Sequence, residues 1–145
     1  MAGRPKPTAA PPDIPPAVLA AMKQAAIEAA RRAYAPYSRF AVGAAVLSAD
    51  GRIHAGANVE NASFGLSICA ERNAIFRAVA DGARTIGAIV VYTSTADPTP
   101  PCGACRQVLA EFGADALIVC CSDGVADRRY RLAELLPHAF GPQHL

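Results

Sequence analysis

Two short stretches constrain this chain more than anything else in it: Cys69-Ala70-Glu71-Arg72 and Pro101-Cys102-Gly103-Ala104-Cys105-Arg106. Together they offer three thiols and one carboxylate. Three protein ligands with no evident fourth is the count of a catalytic zinc, which keeps one position open, whereas a structural zinc closes its shell with four. Glu71, two residues after the first thiol, is placed to carry protons beside such a metal. Positions two apart on a helix point about 200° away from each other. Cys69 and Glu71 therefore share a metal only if it lies just off the helix N-terminus, near the axis. The Pro101-Cys102 step predicts the start of a second helix, whose dipole favours thiolates there. On that helix Cys102 and Cys105 share a face. A redox dithiol is the rival for Cys102-Gly103-Ala104-Cys105, but it leaves Cys69 and Glu71 without a task. Buried free cysteines are a further alternative, although the second stretch begins among Pro and Gly and not on an apolar face.

The pattern around these stretches predicts a single α/β domain over residues 17–145, after a Pro- and Ala-rich leader over residues 1–16 that reads as disordered. Ala17 to Tyr34 reads as a helix with an apolar stripe of Val18, Met22, Ala26, Ala29 and Ala33. Phe40 to Ser48 is apolar on both alternating faces, as in a strand buried on both sides. Asp50-Gly51 signals a hairpin turn. Ile53 to Glu60 then alternates, with His54, Gly56, Asn58 and Glu60 on one face. A helix from near Cys69 to Asp81 stops at Gly82, and another from Cys102 to Phe112 stops at Gly113. Strands follow each of them, Thr85–Thr93 and Ala116–Cys121, with a last short strand at Arg129–Leu132 and a short helix at Leu132–Leu136. Helix, hairpin, then β-α-β alternation predicts a mixed five-stranded sheet covered on both faces, a three-layer α/β/α domain.

With 145 residues, 52% hydrophobic and 18% charged, the chain is long and apolar enough for a real core. A net charge of +2 with no run of Lys or Arg argues against nucleic acid or an anionic membrane as its main partner. No stretch is long enough to span a bilayer. Five cysteines is an odd count. Using three of them as thiolates favours a reducing, cytoplasmic setting.

A His or Cys followed by x-Glu and a distant Pro-Cys-x-x-Cys is the signature of the zinc nucleobase deaminases. Cys69-Ala-Glu-Arg-Asn-Ala-Ile75 and Pro101-Cys-Gly-Ala-Cys-Arg-Gln-Val-Leu109 closely resemble the small cytidine deaminases that use three cysteines. Phe40-Ala-Val-Gly-Ala-Ala45, Asn58-Val-Glu60-Asn-Ala-Ser63 and Leu135-Leu-Pro-His-Ala-Phe140 resemble the same family, so the likeness runs from about Tyr34 to Leu145. It implies zinc on Cys69, Cys102 and Cys105, with Glu71 as proton carrier and not a ligand. It further implies that Asn58 and Glu60 hold the ribose hydroxyls, that Phe40 packs on the base, and that main-chain groups near Ala70 and Cys102 orient the pyrimidine edge. Phe140 would reach a neighbouring subunit's pocket in a homotetramer with sites at subunit contacts. The substrate would be a free nucleoside, cytidine or deoxycytidine, in pyrimidine salvage.

Physical motives accompany some of these roles. Three thiolates around a dication leave it net negative, and an Arg72 guanidinium donating to the sulfurs would restore Lewis acidity. A carboxylate at the sugar repels phosphate at short range. Bland readings stand beside them: a surface charge for Arg72, a solvated strand edge for Asn58 and Glu60, a core position for Phe40. Two other functions stay open, a related nucleoside or nucleoside-antibiotic deaminase and a non-catalytic zinc module whose shell Cys120 or Cys121 would close. His54, His138 and His144 show no ligand spacing with one another.

Overall fold

The computed structural model describes residues 13–145. Most of the expected leader, residues 1–12, lies outside them. Ile14 already packs against the core, and helix α1 (Pro16–Ala30) begins one residue before the expected boundary, with Pro at its first position, where no intrahelical N–H is required. The strands are β1 (Val42–Ser48), β2 (Ile53–Ala57), β3 (Ile86–Thr93), β4 (Leu117–Ser122) and β5 (Arg128–Arg131). Helices α2 (Ala70–Ala80), α3 (Gly103–Phe112) and α4 (Leu132–Leu135) complete the domain.

The five strands form one sheet in the order β2-β1-β3-β4-β5. Only β3 and β4 run parallel, and α3 makes the crossover that a parallel pair requires. The period of two splits each central strand between two cores. Val42, Ala44, Val46, Ile89, Val91, Ile118 and Cys120 face α2, α3 and α4. Ala45, Ala88, Val90, Tyr92, Leu117, Val119 and Cys121 face α1. The expected α/β/α sandwich is what forms, because strands apolar on both faces need a cover on each.

Helix α1 departs from expectation in length and in face. It ends at Ala30, not Tyr34. Tyr34 instead accepts from the Glu60 N–H at 2.8 Å and donates to Asn58 O at 3.0 Å, so backbone pairing with a distant strand outcompetes another helical turn. The buried face is Leu19, Met22, Ala26 and Ala30, one step round from the expected stripe. Burying Leu19 in place of Val18 removes more apolar surface from water. The helix also rests its backbone on Gly43, where a Cβ would lie 1.8 Å from Ala26 O.

Gly56 plays the same part under α2. A Cβ there would stand 2.4 Å from Ala74 N and 2.8 Å from Ala70 O. Gly56→Ala is therefore expected to push the first turns of α2 off the sheet and cost roughly 1–3 kcal/mol or more. Because those turns carry Glu71 and follow Cys69, metal retention should fall together with the thermal midpoint. A variant with wild-type midpoint and metal content would show that the sheet yields at little cost.

His54, expected to be surface or satisfied, is buried and satisfied, with Nδ1 3.0 Å from Asp81 Oδ2 and Nε2 3.3 Å from Ser48 Oγ. Asp81 caps α2, and Gly82 turns away at φ +100°. No helix of the described residues is long and apolar enough to cross a membrane.

Candidate active site

The sheet delivers two helix N-termini to one place. Cys69 is the residue before α2 and Cys102 the residue before α3, both in extended backbone, and Cys105 lies in the first turn of α3. Since Cys69 precedes the helix, the angular conflict with Glu71 disappears, and both line one cavity of ≈ 260 Å³. Cys69 Sγ lies 3.8 Å from Cys102 Sγ, which is 3.5 Å from Cys105 Sγ. All three sulfurs fall within 4.8 Å of one another. A tetrahedral zinc with Zn–S bonds of about 2.3 Å spaces its sulfurs about 3.8 Å apart, so the donor set fits that ion. No cysteine among the described residues is in a disulfide. Cys120 and Cys121, buried in β4, are not part of the cluster, so neither closes the shell.

The electrostatics point the same way. Cys105, then Arg72 and Cys102, donate to the Cys69 sulfur and bring its thiol down to about 5 against the effect of burial. The reciprocal bond with Cys69, burial and the charge of Glu71 push the Cys105 thiol up. One thiolate is readily held here, and further ones call for a cation among them.

Glu71 is buried at 5% exposure, and burial raises its carboxyl to about 7, the Cys69 charge adding to the effect. A carboxyl poised near neutrality suits proton transfer in both directions. Arg72 Nη2 donates to Cys69 Sγ at 3.5 Å, and that bond pushes the guanidinium still further toward its charged form. The bland reading of Arg72 as a free surface charge does not hold. Arg72→Ala should leave a folded protein that yields its metal more easily to a chelator, or turns over about 10–100-fold more slowly. Unchanged retention together with unchanged turnover would reduce Arg72 to packing.

The other expected residues are Phe40, Asn58, Glu60, Ala70 and Phe140. The first four line the same cavity as Cys69, Glu71 and Cys102. Asn58 is no free strand edge: its Oδ1 accepts from Val42 N–H and its Nδ2 donates to Phe40 O, both at 2.8 Å. Strand β1 consequently starts at Val42, two residues later than Phe40. Glu60 accepts from Tyr37 N–H at 2.9 Å and from the Ser38 hydroxyl. Phe140 lies outside the cavity, 59% exposed, stacked on His144 at 5.3 Å, with its carbonyl accepting from Gln107 Nε2.

Sequence reasoning passed over several wall residues, among them Ser38, Ser67, Thr99 and Pro100. Thr93 Oγ1 lies 2.8 Å from Thr95 Oγ1 and 3.3 Å from Thr99 Oγ1, tying the proline-rich segment to the end of β3. Arg106 donates to Pro101 O at 2.7 Å and Leu135 O at 2.9 Å, anchoring the turn ahead of Cys102. Its place next to Cys105 was the one signal available, since isolated Ser and Thr in loops carry none.

Residues 18–121 match the model of the cytidine and deoxycytidylate deaminase zinc-binding region. A cytidine deaminase of Halalkalibacterium halodurans is 51% identical over 116 residues, covering 79% of this chain and 88% of the relative. One of Mycobacterium tuberculosis is 46% identical over 116 residues, covering 80% and 84%. Among solved structures, cytidine deaminase from Burkholderia pseudomallei superposes with a TM-score of 0.79 at 47% identity, covering 83% of this chain and 98% of that one. The Mycobacterium tuberculosis enzyme gives 0.75 at 41%, covering 89% and 99%.

Proposed function

This chain belongs to the cytidine and deoxycytidylate deaminase zinc-binding family, and from that membership we propose that it hydrolyses cytidine and deoxycytidine to uridine and deoxyuridine with release of ammonia. The observation that carries the reading is three thiols within 4.8 Å of one another at two helix starts, with the buried Glu71 on the wall of the same cavity. Cys69, Cys102 and Cys105 would hold a zinc ion, which would supply Lewis acidity and bring the pKa of water toward neutrality. The chain does the rest. Glu71 accepts a proton from the attacking water, delivers it to the ring nitrogen beside the amino-bearing carbon, and then helps the amine leave. Arg72 offsets the thiolate charge. Main-chain groups at Ala70 and Cys102 orient the pyrimidine edge, Phe40 packs on the ring, and Asn58 and Glu60 take the sugar. An ionised carboxylate only accepts hydrogen bonds, so Glu60 suits hydroxyl donors and repels a phosphate, which favours a free nucleoside. Zinc-loaded protein should convert cytidine to uridine and ammonia in equal amounts, read from the loss of cytidine ultraviolet absorbance. Zinc-replete protein that leaves cytidine untouched would overturn the assignment.

The setting we propose is pyrimidine salvage in the cytoplasm, where three thiols stay reduced, with a single domain that takes in Ile14 and Pro16 ahead of the expected boundary at Ala17. We also propose a homotetramer. Tyr34, Tyr37, Val59, Phe64 and Leu66 are each 49–74% exposed on adjoining segments beside the cavity. A patch of that kind is characteristic of an interface. In that assembly the exposed Phe140 reaches a neighbour's cavity. Mixing Glu71→Gln protomers with Phe140→Ala protomers should then raise kcat/KM per intact Glu71 above that of the Phe140→Ala parent. No rise after confirmed subunit exchange would confine Phe140 to its own chain.

A further inference from the structure

We infer that Ser38 is a positioning residue of the substrate cavity, its one hydroxyl holding the Glu60 carboxylate and the Phe40 wall in a fixed arrangement. Ser38 belongs to neither metal-binding stretch, yet it lines the cavity with both residues. Its Oγ donates to Glu60 Oε1 and accepts from the Phe40 N–H at 3.0 Å. Its own N–H lies 3.3 and 3.2 Å from the two Glu60 oxygens, and Tyr37 N–H donates to Oε2 at 2.9 Å. Three donors of segment 37–38 thus grip the carboxylate from one side, which leaves about one of its roughly four acceptor sites for a ligand. These bonds, the Ser38 hydroxyl first, also hold the Glu60 carboxyl below its usual range and keep it an acceptor.

The backbone supports the same reading. Arg39, between Ser38 and Phe40, has φ +56°, a left-handed conformation uncommon for a residue with a side chain. Such conformations persist where the surroundings over-determine them, and they gather at ligand sites. Here the reversal lets a single hydroxyl reach forward to Glu60 and back to the Phe40 N–H. The Phe40 carbonyl is taken by Asn58 Nδ2 at 2.8 Å, so both backbone polar groups of the wall residue are tied to side chains. Ser38 touches no reacting atom. Its effect should appear in sugar binding, through Glu60, and hardly in the chemical step at the pyrimidine.

The inference rests on the nucleoside reading above, and the experiment separates the two. Wild-type turnover of cytidine comes first, and its absence would sink the nucleoside reading whatever Ser38 does. Given turnover, Ser38→Ala should raise KM for cytidine about 10-fold, the worth of one charge-assisted hydrogen bond, with kcat changed far less. Ser38→Thr, which keeps the hydroxyl, should restore most of the loss. 2′,3′-Dideoxycytidine offers Glu60 no ring hydroxyl, so Ser38→Ala should change its kcat/KM by no more than about 2-fold. A Glu60→Gln background should blunt the effect on cytidine in the same way. Zinc content and thermal midpoint should match the wild type throughout. An equal penalty on both nucleosides, a penalty in kcat alone, or no change in KM would each overturn the role.

Discussion

Alanine in place of Cys102 or Cys105 yields a protein that no longer retains zinc, with a thermal midpoint near that of chelator-treated wild type. Removing one sulfur leaves two, too few to hold the ion against water. The two positions separate metal loss from packing loss. Cys102 is exposed, so its replacement creates no cavity and any fall in stability reports the metal. Cys105 is 1% exposed, and its replacement adds a small packing cost, on the order of 1 kcal/mol. Zinc free energy is folding free energy wherever the site exists only in the folded state. Two apolar clusters that include none of Cys69, Cys102 and Cys105 also stabilise the fold, so the expected outcome is a lowered midpoint and not an unfolded chain. The check is metal analysis beside thermal unfolding, and full zinc occupancy in either variant contradicts the assignment.

Glu71→Gln is the complementary lesion: metal and fold kept, turnover lost. Gln preserves the size and most hydrogen bonding of the side chain but cannot take up a proton. Burial already favours the neutral carboxyl, raising it to about 7. A neutral amide at 5% exposure therefore adds no charge to be desolvated. Zinc content and thermal midpoint should stay near wild type while kcat falls by about 10²–10⁴ or more, the range for a lost general acid–base. Substantial residual turnover would mean that water or another group carries the proton.

Much of the fold was legible because its signals are local. Phe40–Ser48, apolar on both faces, demanded a buried sheet, Asp50-Gly51 marked the hairpin, and Gly82 marked the end of α2, where φ is +100°. Gly113 marked the end of α3 for a different reason: its φ of −155° lies outside the left-handed region, and a Cβ there would lie 2.3 Å from Ile86 O. The misreadings all involve partners far away in the chain. Tyr34 leaves α1 to pair with Asn58 and Glu60, and α1 turns by a step to seat on Gly43.

The candidate site divides along the same line. Ligand types, their spacing and the two helix starts are properties of short segments, and the sequence by itself determined them: three thiols, one carboxylate between them and Arg72. Only the tertiary structure decided that Cys69 stands before its helix, that Glu71 is desolvated, and that Asn58 and Glu60 spend their first hydrogen bonds on segment 37–42. Desolvation depends on what packs over a residue. The Ser38–Glu60 bond spans 22 positions. Neither leaves a trace in periodicity or motif, because both arise when the sheet brings segments together that carry no sequence signal for each other.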